Sequence, residues 1–336
     1  MKRGGDGIDR DEEVRRIAKT LGVAGLGLGE KLCASAVDKV ARYMERFDIV
    51  PATLEDVHDV VLNLTGVKIE RVENDGDLKR ISQKYAKKQV AAGVQLEFEF
   101  ARNTEALVFR DDSSDARRPA FTALVDSRGD RGYRAWFAER HEPAHLLIPD
   151  PSGKVAWRRT TTERPEPLEQ VVDAIAARVG FWEPVVRPVL EQTVREERSV
   201  LAALERVRMA LAPRASREAS YRAFARMLPF PLTIVRMAVA CRRADPNNRD
   251  GSRCLRATTV MWNDAAERAG IEVWQNFRIP IHSIIHEAYE NECGGSYRSR
   301  DDLMAWRTES GRALSSRALV VEVCARGAWA TIEVAK

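Results

Sequence analysis

Apolar positions recur at helical spacing over 30–48, where Leu32, Ala36, Val37, Val40 and Tyr43 fall on one stripe, and this predicts an amphipathic helix. Thr53-Leu-Glu-Asp56 supplies a capping-box start for a second helix. The period then changes: Val67–Val72 alternates as a strand does, and 76–90 returns to a charged helix. Residues 94–100 alternate again and predict a strand with one apolar and one acidic face. Such a strand reads equally as an ordinary core strand or as a sheet edge with which an extended peptide could pair. Further short strands are predicted at 107–109 and 121–125, then a helix over 131–148 and a strand over 155–161. A proline break precedes a helix over 168–179, whose Val171, Val172, Ile175, Ala176 and Val179 are spaced as a buried stripe.

Farther along, 188–211 reads as one long Arg/Glu helix, with a proline break at 213, a shorter helix over 216–228 and a third over 232–243. From about 250 the texture is mixed, with strands at 255–262 and 271–279, a helix over 281–291, and a terminal hairpin of 319–324 and 329–334 turned at Arg326-Gly327. Residues 1–29 are charged and glycine-rich. Their run Gly22-Val-Ala-Gly-Leu-Gly-Leu-Gly29 lacks a preceding strand and departs from G-x-G-x-x-G, so it reads as a flexible tail or tight turn. The expected order is a tail at 1–29, a domain at 30–190, a helical linker at 191–228 and a second, α/β domain at 229–336; the class is α+β.

At 336 residues, 44% hydrophobic and 31% charged, the chain is long enough for more than one core and too apolar for a disordered protein. No apolar run reaches the roughly 18 to 20 residues that span a bilayer, and the N-terminus has no apolar signal region. The expectation is cytoplasmic, with no membrane partner. The net charge of +4 is mild, but arginine clusters in 193–227 and 242–256, which reads first as the solvated face of long helices and second as a surface that could meet phosphates. Five cysteines with no C-x-x-C pair point to free thiols.

The chemistry centres on His141-Glu142-Pro143-Ala144-His145, which fits H-E-x-x-H. Histidines four apart on a helix share a face, so both imidazoles can reach one Zn²⁺. The intervening glutamate then faces a water made acidic by the metal, which attacks a peptide carbonyl. The roles follow: His141 and His145 as ligands, Glu142 as general base and later proton donor. Pro143 removes an N–H that would bond the Glu139 carbonyl, a cost of about 3 kcal/mol in a regular helix. A third ligand is required, and Glu163, Glu166, Glu169 and Asp173 all lie at a workable distance downstream. Glu169 and Asp173 share a helix face, so that one can ligate while the other acts through a ligand.

These features together resemble the ImmA/IrrE family of zinc metallopeptidases. A helix-strand region precedes H-E-x-x-H, the metal-bearing helix reads RAWFAERHEPAHLLI, and Glu169-Gln-Val-Val-Asp173-Ala-Ile-Ala-Ala177 matches the family's following helix. Departures are Arg140, Pro143 and the Gly180-Phe-Trp-Glu-Pro184 ending. The resemblance implies a zincin-like domain with Glu169 as third ligand and Asp173 second in line. It also implies a C-terminal GAF-like sensor, as in CapP-type members from anti-phage signalling operons. The implied activity is cleavage of a helix-turn-helix repressor in response to a signal such as DNA damage, derepressing stress or defence genes. Single-stranded DNA or another small ligand would act at the C-terminal domain.

Other residues suggest other roles. Cys33, the only cysteine ahead of the metal helix, is a candidate inhibitory thiolate for the open coordination position. His282 and His286 form a second pair at helical spacing, with Cys293 nearby but no glutamate between them, and His58 reads as an ordinary helix position. The alternative function is a catalytically idle nucleic-acid-binding regulator with a structural metal site, using the arginines of 193–256.

Overall fold

The computed structural model describes residues 5–87, 100, 104–111, 120–148, 156–160, 166–240, 254–271, 273–290, 296–301, 319–324 and 329–334. It is a mixed α+β structure with two small sheets, and the chain divides into two compact units. One comprises residues 1–185 with 214–216, the other 186–213 with 217–336.

The first unit opens with α1 (Gly5–Ile8), α2 (Glu12–Thr20), α3 (Leu28–Arg46) and α4 (Leu54–Thr65). The expected flexible tail is therefore structured in its described part. Asp11 caps α2 by accepting from Val14 N, and Val14, Ile17 and Ala18 are buried, so apolar burial holds a stretch that its charge suggested was loose. Gly29 sits at a tight approach of α3 to its neighbours: a Cβ there would stand 3.0 Å from Ile8 and 3.4 Å from Val171. Thr53 and Asp56 form the reciprocal capping box expected at α4.

The four-stranded sheet runs β1 (Val67–Val72), β3 (Ala120–Asp126), β2 (Thr104–Asp111), β4 (Ala156–Thr160). The β1–β3 pair is parallel and the other two are antiparallel. Strand alternation sorts its side chains. Val72, Phe109 and Leu124 pack with Leu78, Ile81 and Tyr85 of α5 (Asp75–Lys87). Ala106 and Val125 face Ala135 and Ala138 of α6 (Gly132–His145), and these small residues let the helix lie close on the sheet. Of the strand expected at 94–100, residues 94–99 lie outside the described residues, and Phe100 has helical backbone and joins the α5 cluster. α7 (Pro167–Gly180) packs on α6 and α3, burying Leu168, Val171, Val172, Ile175 and Ala176.

In the second unit the region read as one helix over 188–211 is two, α8 (Glu183–Glu196) and α9 (Val200–Leu211). Ser199 starts a new helix by accepting from Ala202 N at 3.0 Å, while the buried Glu322 carboxylate accepts from Val200 N at 2.9 Å. α10 (Arg217–Met227) follows. The five-stranded sheet, all antiparallel, runs β6 (Cys254–Trp262), β5 (Leu232–Ala240), β9 (Trp329–Val334), β8 (Leu319–Cys324), β7 (Ser296–Asp301). The helix expected at 232–243 is thus strand β5. Its first four residues, Leu232–Val235, are all buried, and length alone does not separate a short run of that kind from a helix. One face packs on α11 (Asp264–Ala269) and α12 (Ile284–Glu290) through Val235, Met237, Val321 and Ile332. On the other, Trp329 meets Tyr221 of α10 edge to face. Of the strand expected at 271–279, the described residues 271 and 273–279 are irregular with a single bridge, Arg256 to Arg278, and Asn276 interrupts extension there with left-handed backbone at φ 67°. β8 and β9 pair as expected; their turn at 326–327 lies outside the described residues. No described helix is long and apolar enough to cross a membrane.

Candidate metal centre

Every residue of α6 from Ala138 to His145 is buried, including Glu139, Arg140, His141, Glu142 and His145. A helix that buries polar side chains all round must satisfy them, because an unpaired buried charge is far costlier than a paired one. Its entry is fixed at buried Asp126, which accepts from Arg128 at 2.9 Å and from Arg131. The helix continues through Pro143 and ends two residues later, so the missing N–H falls in its last turn. Lys39 of α3 sits at that end, with Nζ 3.3 Å from the Leu147 carbonyl and 3.5 Å from that of Leu146. Its charge complements the helix C-terminus. Burial pulls the Lys39 pKa down.

The structure brings His141, His145 and Glu169 together, with one ligand atom from each within 4.8 Å of the others. The two Nε2 atoms are 3.1 Å apart. Glu169 Oε2 lies 3.1 Å from His141 Nε2, and Oε1 lies 3.6 Å from His145 Nε2. Behind His141, Asp173 Oδ1 is 2.8 Å from Nδ1. Glu169 and Asp173 reach the same imidazole because they stand one turn apart on α7. If Nδ1 donates to Asp173, the tautomer is fixed and the Nε2 lone pair points at Glu169 and His145. Lone pairs and a carboxylate facing one another at this range are tolerable around a cation, so the donor set fits a metal ion. Burial opposes ionisation of Glu169; when the imidazoles are protonated instead, the hydrogen bond from His141 and the charges of His145 and His141 outweigh it and hold the carboxyl below its usual value. The histidines are nearly sealed, at 1% and 4% side-chain exposure, whereas Glu169 and Asp173 keep 30% and 37%, so the group opens on the α7 side.

Of the other carboxylates expected downstream, Glu166 is the exposed residue just ahead of α7, outside the group, and Glu163 lies outside the described residues. Glu142 is wholly buried between the two histidines in sequence. Cys33 is not in the group. It is buried in the apolar stripe of α3 and is felt electrostatically by Arg178, which lies nine residues past Glu169, roughly 13 Å along the helix. His282 is exposed and His286 lies 3.5 Å from Glu290; among the described residues neither joins a three-ligand group, and Cys293 lies outside them. His58 is a buried position on α4 whose pKa falls to about 4, chiefly through burial and the Arg140 charge.

Two polar groups on α6 were not foreseen as part of the site's scaffold. Glu139 is fully buried and accepts from Arg71 at 2.5 and 3.0 Å and from Arg214 at 3.0 Å. Burial works against its ionisation, and the two arginines more than offset it, keeping its pKa low. Arg140 stacks 3.7 Å above the Trp136 ring, donates to the Trp136 carbonyl at 3.1 Å and reaches Glu55 at 2.9 Å. The Trp136–Arg140 spacing of four residues was visible in the chain; the distant Arg71, Arg214 and Glu55 were not. No protein-family model matches the chain, and no curated protein matches it either.

Proposed function

We infer that the first unit is a zinc-dependent endopeptidase. One observation carries this: two histidines of a single helix and a carboxylate of the next converge on one point, with Asp173 behind His141. Two imidazoles and a carboxylate are the donor set of catalytic zinc sites that keep a position open. Bound there, zinc would acidify a water and polarise a substrate carbonyl. Asp173 orients His141 and raises its basicity as a ligand. Glu142, on the same helix turn and shielded from bulk water, takes a proton and returns it to the leaving amine. Glu139, Arg140 and Lys39 hold the helix that presents these groups.

The resemblance to the ImmA/IrrE family supports the finer reading: a zincin-like first unit, a GAF-like second unit that senses a signal, and a helix-turn-helix repressor as substrate. The nucleic-acid alternative gains less support, because Arg206, Arg208, Arg217 and Arg222 already pair with Glu196, Glu197, Glu205 and Glu218. Co-incubation with a small helix-turn-helix protein encoded beside this chain tests the reading. Wild-type protein with zinc cleaves it and the Glu142→Gln variant does not; equal cleavage by both, or transcriptional derepression that survives Glu142→Gln, refutes it.

A further inference from the structure

The glycine-rich run that follows α2 forms part of a surface depression, distinct from the metal centre. Gly22, Gly25 and Gly27 all take left-handed backbone, with φ of 67°, 89° and 72°, a conformation side chains with a Cβ resist. The resulting loop lies beside α2 and borders an open, surface-facing depression of about 630 Å³, a size within the range of small-molecule sites. Its wall carries Arg10, Arg15 and Lys19 beside an apolar floor of Ala18, Val23 and Leu28. Arg15 and Lys19 are four apart on α2 and so project together. Arg15 is held by its Nε, which donates to the Asp9 carbonyl at 2.8 Å.

Asp9 is the one acid in the wall, and it is already committed. Its two carboxylate oxygens accept from Gly27 N and Leu28 N, each at 2.8 Å, and so cap the N-terminus of α3. The helix end is thus filled by the chain's own anion, and its partial positive charge offsets that of Asp9. Among the described residues, Arg10 and Lys19 have no ion-pair partner. Lys31 stays close: its Nζ donates to the Ala24 carbonyl at 2.5 Å and stands 3.3 Å from where a Cβ on Gly25 would lie.

We propose that this depression binds a small phosphorylated molecule of mononucleotide size, its phosphates on Arg10, Arg15 and Lys19 and its apolar part on Val23 and Leu28. Three cations against one neutralised carboxylate favour a multiply charged anion, and arginine's planar fork suits phosphate oxygens. Titration calorimetry of the full chain with inorganic pyrophosphate and with ADP tests this. Both should bind, ADP the tighter, and pyrophosphate binding should weaken with salt. The double variant Arg10→Gln, Lys19→Gln, which changes only exposed side chains, should bind pyrophosphate about tenfold or more weaker. Gly25→Ala should also weaken binding while leaving all three cations in place. Absence of binding to either probe overturns the proposal, as does undiminished binding by the double variant, which would place the phosphate at the metal centre. Binding to phosphatidylserine vesicles with none to pyrophosphate overturns it as well.

Discussion

Gly180→Ala should destabilise the first unit, although alanine in place of glycine ordinarily favours a helix by roughly 0.5–1 kcal/mol. Gly180 is the last residue of α7, and a Cβ built on it would stand 2.7 Å from Arg140 Cδ and 3.4 Å from the Trp136 ring. The nearest atom is not the free end of a mobile chain. Arg140 is 4% exposed, is stacked on Trp136 and is tethered at Glu55 and at the Trp136 carbonyl. Moving Cδ by the several tenths of an ångström required must lengthen one of these contacts or push the ring. Overpacking of this kind costs about 1–3 kcal/mol, so the net expectation after the helix gain is a loss of about 1–2 kcal/mol. Urea unfolding of metal-free protein, followed by the fluorescence of the tryptophans, measures it. The pair should also be non-additive: in an Arg140→Ala background the clash is gone and Gly180→Ala should be neutral or stabilising. A rise in stability from Gly180→Ala alone would refute the packing argument for Arg140.

Three further outcomes follow from the same geometry. Asp173→Asn should lower metal affinity by roughly 10–100-fold without unfolding the protein, as read by competition with a chelating dye. Ser199→Ala removes the side-chain cap that splits α8 from α9 and should cost about 1 kcal/mol in urea. Glu205 is held at about 2 by hydrogen bonds from Arg208, Arg217 and Tyr221 acting against burial. Its folded pKa lies below the unfolded one, so it contributes stability above the ordinary carboxylate range that is lost as pH falls toward about 2; Glu205→Gln should flatten the acid limb of the stability curve.

Local chemistry made much of the first unit legible. The Thr53 box, the alternation of Val67–Val72 and the stripe of 168–179 each depend on neighbours in sequence, and each appears where the pattern put it. The failures have separate causes. β5 opens on four consecutive buried residues, Leu232–Val235, so its start shows no alternation to separate it from a helix. The α8–α9 break joins the local Ser199 cap to a contact from Glu322, more than a hundred residues away, which accepts from Val200 N. At the site, helical spacing was enough to nominate His141 and His145. Spacing left four carboxylates open until α6 and α7 packed together and brought Glu169 and Asp173 to the same imidazole. The arginines around Glu139 come from β1 and from the 214–216 segment, and no local pattern announces them.

Metal content of protein purified without chelators tests the central claim most directly. The account predicts a single zinc per chain in the wild type and in Glu142→Gln, and loss of that zinc in His145→Ala and in Glu169→Ala. Wild-type protein that takes up no zinc even when it is supplied, or full zinc retained after either ligand is removed, would contradict it.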